Sequence, residues 1–583
     1  MERAKTYIYE FGDFCVDPAR WQLLGRDGRP LSITPKAFDT LLYLVEHAEV
    51  VLAKEIFIGA IWADTAVEEN NLTQCISALR RVLGEKRAEH RFIVTVPGRG
   101  YRFIAAVNKR NARVSASSTE SIPSIAVLPF QPLTRNRRDE SLEMGMADTP
   151  ITRLTGIREL IVRPMSTVRK YADSKKDVLA AGRELGVDSV LEGSLQHQGD
   201  RIRVTVRLLA VSNGASLWAG TFDDEMSDIF ALQDAISERV VQALSVQLSR
   251  EDKRRLVKHY TQNTRAYESY LKGRYHWWKN SPEEYKKSRD YFHRAVEEDP
   301  CYALGYCGLN SFYGYAAAWG MISPDEAWPK AEWAISRAIE LDDQLAEAHL
   351  GLAALNLVYS LDWVGTESEA KRAIELSPGF DEIHYAYSFF LVVMGRFREA
   401  ITEGERASAC NPFSVRISQH LGYAHYCARS YEKAIEKYRK ALELDPDDAS
   451  ICETLGDAYE RNREQRKAIE QWRKAMLLAH DTDLIATLGA PKTDKAISTA
   501  VKAVALKRLE RLQRSRESGA YVPAIKFARE HLRAGNHEDA LKWLTLACEE
   551  RNVYSLLIGS DPFYDPLRGD RRFSRLLRRM KLE

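Results

Sequence analysis

Polar side chains line one side of a helical pattern between Glu68 and Gly84. Apolar residues recur at spacings of three and four, which predicts a helix with one buried stripe, Leu72, Ile76, Leu79 and Leu83. The opposite side carries hydrogen-bonding or cationic residues, Asn70, Asn71, Thr73, Gln74, Ser77, Arg80 and Arg81. Side-chain amides pair with adenine, a threonine methyl contacts thymine, and arginines hold phosphates. This face therefore has the chemistry of a reader of the DNA major groove.

A basic hairpin is predicted directly after this helix. The residues before Pro97 alternate between apolar and polar, Pro97-Gly98-Arg99-Gly100 predicts a turn, and Tyr101 to Phe103 continue the second strand. Between Arg80 and Arg110, nine Lys and Arg residues stand against two Glu. Such a run is often only a solvated face, but its place beside a polar helix favours contact with phosphates. We expect Arg99 and Arg102 to make such contacts, together with Arg80 and Arg81.

Two of these residues have structural alternatives. Arg80 can instead form a salt bridge to a nearby carboxylate such as Glu55. Asn70 can cap the helix, in which case it serves folding rather than base reading.

The elements before this helix are expected to form its framework. Alternation at Tyr7–Val16, with further short runs at Trp21–Leu24 and Leu31–Ile33, predicts a small antiparallel sheet. A helix then begins at Thr34-Pro35, where proline suits the first helical position, and a second covers about Ala53 to Trp62.

This order of sheet, three helices and hairpin resembles the winged-helix DNA-binding domain of the OmpR/PhoB response-regulator type. The similarity covers about residues 5–107 and rests on Ile33 to Leu42, on LRRVLGE at 79–85 and on GRGYRF at 98–103. It implies that Asn70 to Arg81 faces the major groove and that the hairpin tip is the wing. It also implies that the loop Ala63–Glu69 lies where relatives contact RNA polymerase.

The next region has the pattern of a tether followed by an α/β domain. Lys109–Pro123 is basic and then serine-rich, which is typical of a flexible linker. Strand-like and helical runs then alternate, and Asn213-Gly214 predicts a tight type I′ hairpin between two of the strands. The stretches IAVLPF, ELGVDSVLEGS and RVTVRLLAVSNGASLWAGTFD resemble the small mixed-sheet domain at the amino end of TolB and in FlgO-type proteins. The same unit occurs in CadC-like regulators.

A repeat dominates the C-terminal half. Equivalent alanines stand at 295, 338, 373, 407, 441 and 475, and the last three intervals are each 34 residues. A period of 34 built from helix pairs is that of the tetratricopeptide repeat (TPR), whose stacked pairs form a concave groove suited to a protein or peptide partner. The tail Ser560–Met580 is expected to cap the stack. The aromatic group Tyr267, Tyr270, Tyr275, Trp277 and Trp278 is expected to be core packing, with a ligand pocket as the alternative.

No catalytic, metal or cofactor site is predicted. The sequence lacks a phosphate-binding G-x-x-x-x-G-K-[ST] loop and any nucleophile–base pair, and its histidines and eight scattered cysteines lack metal-ligand spacing. The basic stretch Lys507–Arg516 is either an exposed helix face or a second nucleic-acid contact. With no signal peptide and no apolar run of membrane-spanning length, we expect a cytoplasmic protein without a membrane partner.

The predicted architecture is multidomain, with α/β and all-α parts. Its domains are a winged helix-turn-helix at 1–108, a flexible linker at 109–123, a mixed-sheet α/β domain at 124–250 and a TPR α-solenoid with a C-terminal cap at 260–583. Together they resemble one-component, CadC/HilA-like transcriptional regulators that bind promoter DNA, without the transmembrane helix of CadC. The competing hypothesis is a protein-interaction scaffold whose winged helix no longer reads DNA, since Ser77 and Ala78 stand where relatives often carry arginines.

Overall fold

The computed structural model describes residues 7–17, 22–25, 30–31, 33, 35–61, 69–85, 91–111, 122–133, 139–172, 177–198, 201–225, 229–244, 246, 248, 252, 260–279, 281–318 and 321–583. The chain divides into two compact units, unit 1 (Met1–Ser121) and unit 2 (Ile122–Glu583), each with a hydrophobic core of its own. Winged-helix, mixed-sheet and helical-repeat parts are all present, so the predicted fold class is confirmed.

Unit 1 combines short strands with helices. In chain order its elements are β1 (Tyr7–Phe11), β2 (Phe14–Asp17), β3 (Gln22–Leu24), β4 (Pro30–Leu31), α1 (Pro35–Glu46), β5 (Val51–Leu52), α2 (Lys54–Ile61), α3 (Glu69–Val82), β6 (Ile93–Val96), β7 (Gly100–Phe103) and β8 (Asn108–Asn111). One antiparallel sheet has the order β4-β3-β2-β1-β8, and a smaller sheet has the order β5-β7-β6.

Two predictions about unit 1 are wrong in detail. The run Tyr7–Val16 is a hairpin rather than one strand, because Gly12 adopts a φ of +52° and turns the chain between β1 and β2. The first residues of the predicted linker, Lys109 to Asn111, belong to β8 and pair with β1. Their backbone completes the edge of the sheet although their side chains are polar. Residues 112–121 of that linker lie outside the described residues.

The α/β part of unit 2 contains a mixed sheet. Its elements are β9 (Ser124–Val127), β10 (Gln131–Pro132), α4 (Glu140–Thr155), β11 (Ile161–Val162), α5 (Met165–Val168), α6 (Val178–Leu185), β12 (Ser189–Gln198), β13 (Arg201–Ala210), β14 (Ser216–Glu225) and α7 (Ile229–Ala243). The strands β11, β9 and β12 are parallel, whereas β12, β13 and β14 are antiparallel. The predicted two-residue turn at Asn213-Gly214 is wrong: the Ala210 N–H donates to the Ala215 carbonyl, so four residues form the loop.

The remaining residues of unit 2 form stacked helix pairs. The helices are α8 (Thr264–Trp278), α9 (Pro282–Glu298), α10 (Ala303–Ala318), α11 (Pro324–Leu341), α12 (Ala346–Leu355), α13 (Trp363–Leu376), α14 (Asp381–Val393), α15 (Phe397–Cys410), α16 (Val415–Cys427), α17 (Tyr431–Leu444), α18 (Ala449–Arg461), α19 (Gln465–Leu478), α20 (Thr482–Leu488), α21 (Asp494–Glu517), α22 (Ala524–Ala534), α23 (His537–Glu549) and α24 (Arg571–Arg579). A π-helical turn, Asn356–Ser360, extends α12, and 3₁₀ turns at Val553–Gly559 and Pro562–Leu567 precede α24.

Small residues let the helices of a pair approach closely. A Cβ on Gly422 would lie 2.6 Å from the ring of Tyr438, and one on Gly456 would lie 2.4 Å from the indole nitrogen of Trp472. The aromatic rings therefore fill the space that the glycines leave, which explains why the repeat sequence requires both residue types.

The α/β part packs directly against the repeats. The Tyr267 hydroxyl on α8 lies 2.7 Å from the Thr149 hydroxyl. The Gln233 side-chain amide donates to the same Tyr267 hydroxyl at 2.6 Å. Farther along, Arg163 donates to the carbonyl oxygens of Ala409 and Cys410, both at 3.0 Å. Tyr267 and Tyr270 are buried here, which agrees with the predicted packing role of the aromatic group.

Candidate nucleic-acid interface

The helix α3 presents the polar side that its sequence predicts. Its apolar stripe is buried in the core of unit 1, with Leu72 and Leu79 1% and 0% exposed. Burial of that stripe turns Thr73, Gln74, Ser77 and Arg81 outward, and all four are exposed. Four of the predicted site residues therefore share one solvent-facing side of one helix.

The structure adds detail at the start and middle of α3. The backbones of Asn70 and Asn71 lie in its first turn, but their side chains are outside the described part of the chain. The Ser77 hydroxyl donates to the Thr73 carbonyl at 2.9 Å, within the helix. Of the loop Ala63–Glu69, only Glu69 is described, as the first residue of α3.

The partly buried Cys75 lies on the side of α3 that packs against α1. Burial raises the pKa of the Cys75 thiol, although the nearby Thr40 side chain on α1 and the charge of Lys36 oppose the rise. The thiol therefore stays neutral and packs between the helices. This contact holds the rear of α3 while its front remains open.

The C-terminus of α3 is closed by the glycine that the sequence indicates. Gly84 adopts a φ of +72°, and the Glu85 N–H donates to the Arg80 carbonyl at 2.8 Å. The Gly84 N–H bonds to the Arg81 carbonyl at 3.2 Å. This pair of bonds is a Schellman motif, in which a left-handed residue satisfies the last helical carbonyls.

Arg80 contacts the hairpin rather than the predicted partner Glu55. Its Nη2 donates to the Ile93 carbonyl at 3.0 Å and to the Thr95 hydroxyl at 2.9 Å. Its Nε lies 3.7 Å from Glu85 Oε2, and the Glu85 side chain is fully buried. Sequence reasoning missed both Glu85 and Thr95. The position of Glu85 directly after Gly84 was the available signal, because a Schellman motif folds that residue back toward the helix.

The hairpin β6–β7 places one arginine at an exposed tip. The Arg99 N–H donates to the Val96 carbonyl at 2.9 Å, and the tip residues Pro97, Gly98 and Arg99 are all exposed. At Gly100 the hairpin packs closely against β5. A Cβ at this position would lie only 2.0 Å from the Leu52 carbonyl oxygen, so the close packing requires glycine. The tip is thus a basic projection on a closely packed base.

Arg102 occupies the middle of the small sheet. Its backbone faces Val94 on β6 and Val51 on β5, and its side chain is half-buried. The buried Nε makes no hydrogen bond within the described part of the chain. Arg102 is therefore less available to a phosphate than Arg81 or Arg99, which are exposed.

The second basic stretch, Lys507–Arg516 on α21, is largely neutralised within unit 2. Arg508 pairs with Glu453 at 2.6 Å, Arg511 pairs with Asp481 and Asp483, and Arg516 lies over the Trp543 ring at 4.9 Å. These contacts favour the structural alternative for the stretch over a second nucleic-acid contact.

The repeat helices are contacted by the protein's own C-terminal segment. The Tyr423 hydroxyl donates to Asp561 at 3.1 Å, Arg529 pairs with the same carboxylate at 3.5 Å, and Arg429 pairs with Asp565 at 2.6 Å. Leu556, Ile558, Tyr564 and Leu567 of this segment are at most 1% exposed. The tail therefore belongs to the folded core of unit 2.

The described residues contain neither a metal-ligand cluster nor a candidate membrane span. Among them, no group of three His, Cys, Asp or Glu side chains converges as metal ligands. Within the same residues, no helix has the length and apolar character needed to cross a bilayer.

Three protein-family models match the chain. Residues 28–103 match "Transcriptional regulatory protein, C terminal", residues 120–239 match "HilA/YgeH-like transcriptional regulator, second domain", and residues 430–462 match a TPR repeat. In these parts the chain is similar to CadC/HilA-like regulators. The winged helix, α/β domain and TPR predicted from the sequence are the same three parts.

Two curated relatives show the extent of the likeness. The chain is 27% identical over 383 residues to the transcriptional regulator HilA of Salmonella typhimurium, a match that covers 64% of the chain and 66% of HilA, just under two thirds. It is 28% identical over 253 residues to a Rhizobium meliloti protein named putative adenylate cyclase 3, covering 43% of the chain and 42% of that protein.

A solved structure matches the first part of the chain. It is the DNA-binding domain of Escherichia coli CadC, 30% identical, with 18% of the chain and 100% of that domain covered and a TM-score of 0.17.

Proposed function

We propose that the chain is a one-component transcriptional regulator in which unit 1 binds promoter DNA. In this proposal α3 enters the major groove with Thr73, Gln74 and Ser77 toward the bases. Arg81 and the wing residue Arg99 contact phosphates on either side. The observation that carries the proposal is the exposed polar side of α3 bonded directly to a basic hairpin, within the region that matches a transcriptional regulatory domain.

The charges of this surface fit a polyanion. Arg81, Arg91 and Arg99 are exposed, whereas the carboxylate of Glu85 is fully buried and does not face solvent. Each phosphate neutralised by an arginine releases counterions, so DNA affinity should fall steeply as salt rises.

The test is recovery of bound fragments from sheared genomic DNA by the purified full-length protein, followed by salt titration on a recovered site. The variant Arg81→Ala/Arg99→Ala should bind more weakly, with a salt slope lower by roughly two, about one per lost phosphate contact. Arg514→Ala is the matched control, because Arg514 is 77% exposed and lies on α21 in unit 2. Recovery of no shared motif by folded wild-type protein would refute the proposal.

The geometry of Ser77 favours one competing hypothesis, a scaffold that does not read bases. Its hydroxyl already donates to the Thr73 carbonyl, so the middle of α3 offers a short and partly satisfied side chain. On that hypothesis the wild type would show no steep salt-dependent affinity for DNA, and an interaction partner would be the next target.

We also propose that unit 2 docks a protein partner in a surface groove. This open groove of about 470 Å³ lies between α13, α14 and α15, and its lining residues all belong to these three helices. Its floor contains Ile374, Tyr387 and Leu391, and its rim carries both acidic and basic side chains. Such a mixture of an apolar floor and a charged rim suits an amphipathic protein segment.

Blocking this groove should separate regulation from DNA binding. Thr402→Trp places a ring in the groove. Thr499→Trp on α21 is the matched control, because each of these two exposed threonines donates its hydroxyl to the backbone carbonyl four residues earlier in its own helix. We expect Thr402→Trp to change transcription from the recovered promoter in cells while DNA affinity in vitro stays unchanged. Equal transcription from both variants would contradict this assignment.

RNA polymerase is proposed as a further partner, through the loop Ala63–Glu69, by similarity to the winged-helix family. We place the protein in the cytoplasm with its DNA target and assign it no enzymatic activity. Synthesis of cyclic AMP by the purified protein, the reaction named for the Rhizobium meliloti relative, would overturn that last assignment.

A further inference from the structure

The recognition helix and the wing are joined by one buried carboxylate. Glu85 follows the Schellman motif that ends α3, so its backbone is held against the last turn of the helix. Its Oε1 accepts hydrogen bonds from the backbone N–H groups of Phe92 and Ile93, at the start of the wing hairpin. One side chain thus ties the end of α3 to the first strand of the wing.

Arg80 provides the countercharge and a second connection. Glu85 Oε2 is buried and has no hydrogen-bond partner among the described residues, and the Arg80 guanidinium lies 3.7 Å away. The same guanidinium donates to the Ile93 carbonyl and the Thr95 hydroxyl on the wing. Ile93 is therefore bonded at its N–H by Glu85 and at its carbonyl by Arg80.

This geometry is costly to disturb. A buried carboxylate that loses its cationic partner keeps its desolvation cost without compensation, so the pair is more sensitive than an exposed salt bridge. The connection runs between two rigid elements, the last turn of a helix and a β-hairpin, and it therefore sets their relative orientation.

We propose that Arg80 and Glu85 are positioning residues that hold the wing at a fixed orientation to α3, so that Arg99 reaches its phosphate when α3 occupies the groove. This proposal rests on the DNA-binding function proposed above. It reassigns Arg80, predicted from the sequence to hold a phosphate, to a role that acts through the wing. It also assigns a role to Glu85, an acidic residue that repels DNA by charge alone.

The decisive variant is Glu85→Gln in the full-length protein. If charge alone governs binding, removing a negative charge strengthens DNA binding or leaves it unchanged. If Glu85 positions the wing, affinity for the recovered site falls by about tenfold, the scale of one hydrogen bond to a charged group. Unchanged or tighter binding by a folded Glu85→Gln variant would overturn the proposal, whereas absence of specific binding by the wild type would refute the proposed function instead.

Arg80→Ala and Arg99→Ala together distinguish positioning from direct phosphate contact. Two independent phosphate contacts give additive losses, and the salt slope then falls by about two in the double variant. Positioning predicts that Arg80→Ala adds little once Arg99 is absent. Additive losses would therefore also contradict the proposal.

A footprint separates positioning from simple destabilisation. Glu85→Gln should lose hydroxyl-radical protection beneath the wing while guanine N7 protection in the major groove beneath α3 remains. Partial unfolding of unit 1 would remove both protections together. Thr95→Val removes only an exposed hydroxyl acceptor and should show the same selective loss to a smaller extent, so the test holds even if Glu85→Gln fails to fold. Retention of full wing protection in Thr95→Val would count against the proposal.

Discussion

The close seat of the wing on β5 makes Gly100 the most informative position in unit 1. Gly100 adopts a φ of +126°, and a Cβ there would lie 2.0 Å from the Leu52 carbonyl oxygen and 3.0 Å from the Ala53 Cα. Both obstacles are backbone atoms, which cannot rotate away as a side chain can. Gly100→Ala must therefore distort the turn, separate β7 from β5, or do both.

The expected cost follows from two contributions. A positive φ costs a residue with a Cβ about 1–2 kcal/mol. Separating β7 from β5 gives up one or two hydrogen bonds of the short ladder between Val51–Leu52 and Tyr101–Arg102, at about 1 kcal/mol each. The sum is about 2–4 kcal/mol, which lowers the protection of the wing amides by roughly 30- to 1000-fold.

Gly98→Ala is the matched control for the close approach. Gly98 also has a positive φ, +69°, but no atom lies within 4 Å of the Cβ that an alanine would add. It should therefore show the conformational cost alone, about 1–2 kcal/mol. The difference between the two variants isolates the contact with Leu52.

Hydrogen exchange measured by mass spectrometry on the full-length chain reads this difference directly. Peptides covering β5, β6 and β7 should lose far more protection in Gly100→Ala than in Gly98→Ala, while peptides from the repeat helices stay unchanged. Equal loss in both variants would refute the argument, because the backbone contact would then contribute nothing to stability.

Unit 2 yields three further expectations. A Cβ on Gly145 would lie 2.3 Å from a Leu271 methyl carbon, so Gly145→Ala should lower the melting temperature, and adding Leu271→Ala should cost less in that variant than in the wild type. Burial, helped by the charge of Arg416, lowers the pKa of His420 to about 4. In the unfolded chain the same imidazole binds a proton near pH 6.5, so His420 should not affect the free energy of unfolding above that pH. Between pH 6.5 and pH 4 the free energy of unfolding should fall by up to about 1.4 kcal/mol per pH unit. His420→Gln should remove this dependence, as measured by urea midpoints. Asp457 accepts two hydrogen bonds from Arg533, at 2.9 and 3.0 Å, so Asp457→Asn should cost about 3 kcal/mol in urea unfolding, and an unchanged midpoint would contradict this.

The parts of the fold that the sequence predicts are those with a long period. The stripe from Leu72 to Leu83 repeats over three turns, and the alanines of the repeats recur over six helix pairs, so burial leaves a clear trace in residue type. The strands β5 and β8 leave no such trace in the sequence. The first has two residues, too few to show alternation, and the second consists of polar residues that join the sheet through their backbone.

The partner of Arg80 illustrates the limit at the candidate site. The sequence indicates that a carboxylate lies near Arg80, and both Glu55 and Glu85 are candidates for it. The choice depends on how the hairpin returns to the end of α3, which is set by the left-handed turn at Gly84 and by the backbone bonds of Phe92 and Ile93. Contacts of this kind appear only once the chain has been folded in three dimensions.

The periodicity of the repeats likewise describes only neighbouring pairs. It does not reveal that the tail returns to distant repeats, where Asp561 and Asp565 meet Tyr423, Arg529 and Arg429. The repeats are thus contacted by residues that carry no repeat signal.

The returning tail also changes how the stack should respond to force. A tandem array of helix pairs ordinarily loosens from a free end, one pair after another, like an extending spring. Here the Trp363 indole donates to the Lys581 carbonyl at 2.9 Å, and the Lys581 ammonium donates to the Leu361 carbonyl at 3.3 Å. The last residues are therefore hydrogen-bonded to the third helix pair, α12 and α13. When the chain is pulled from its C-terminus, the stack should resist until these hydrogen bonds break and then extend in one large step.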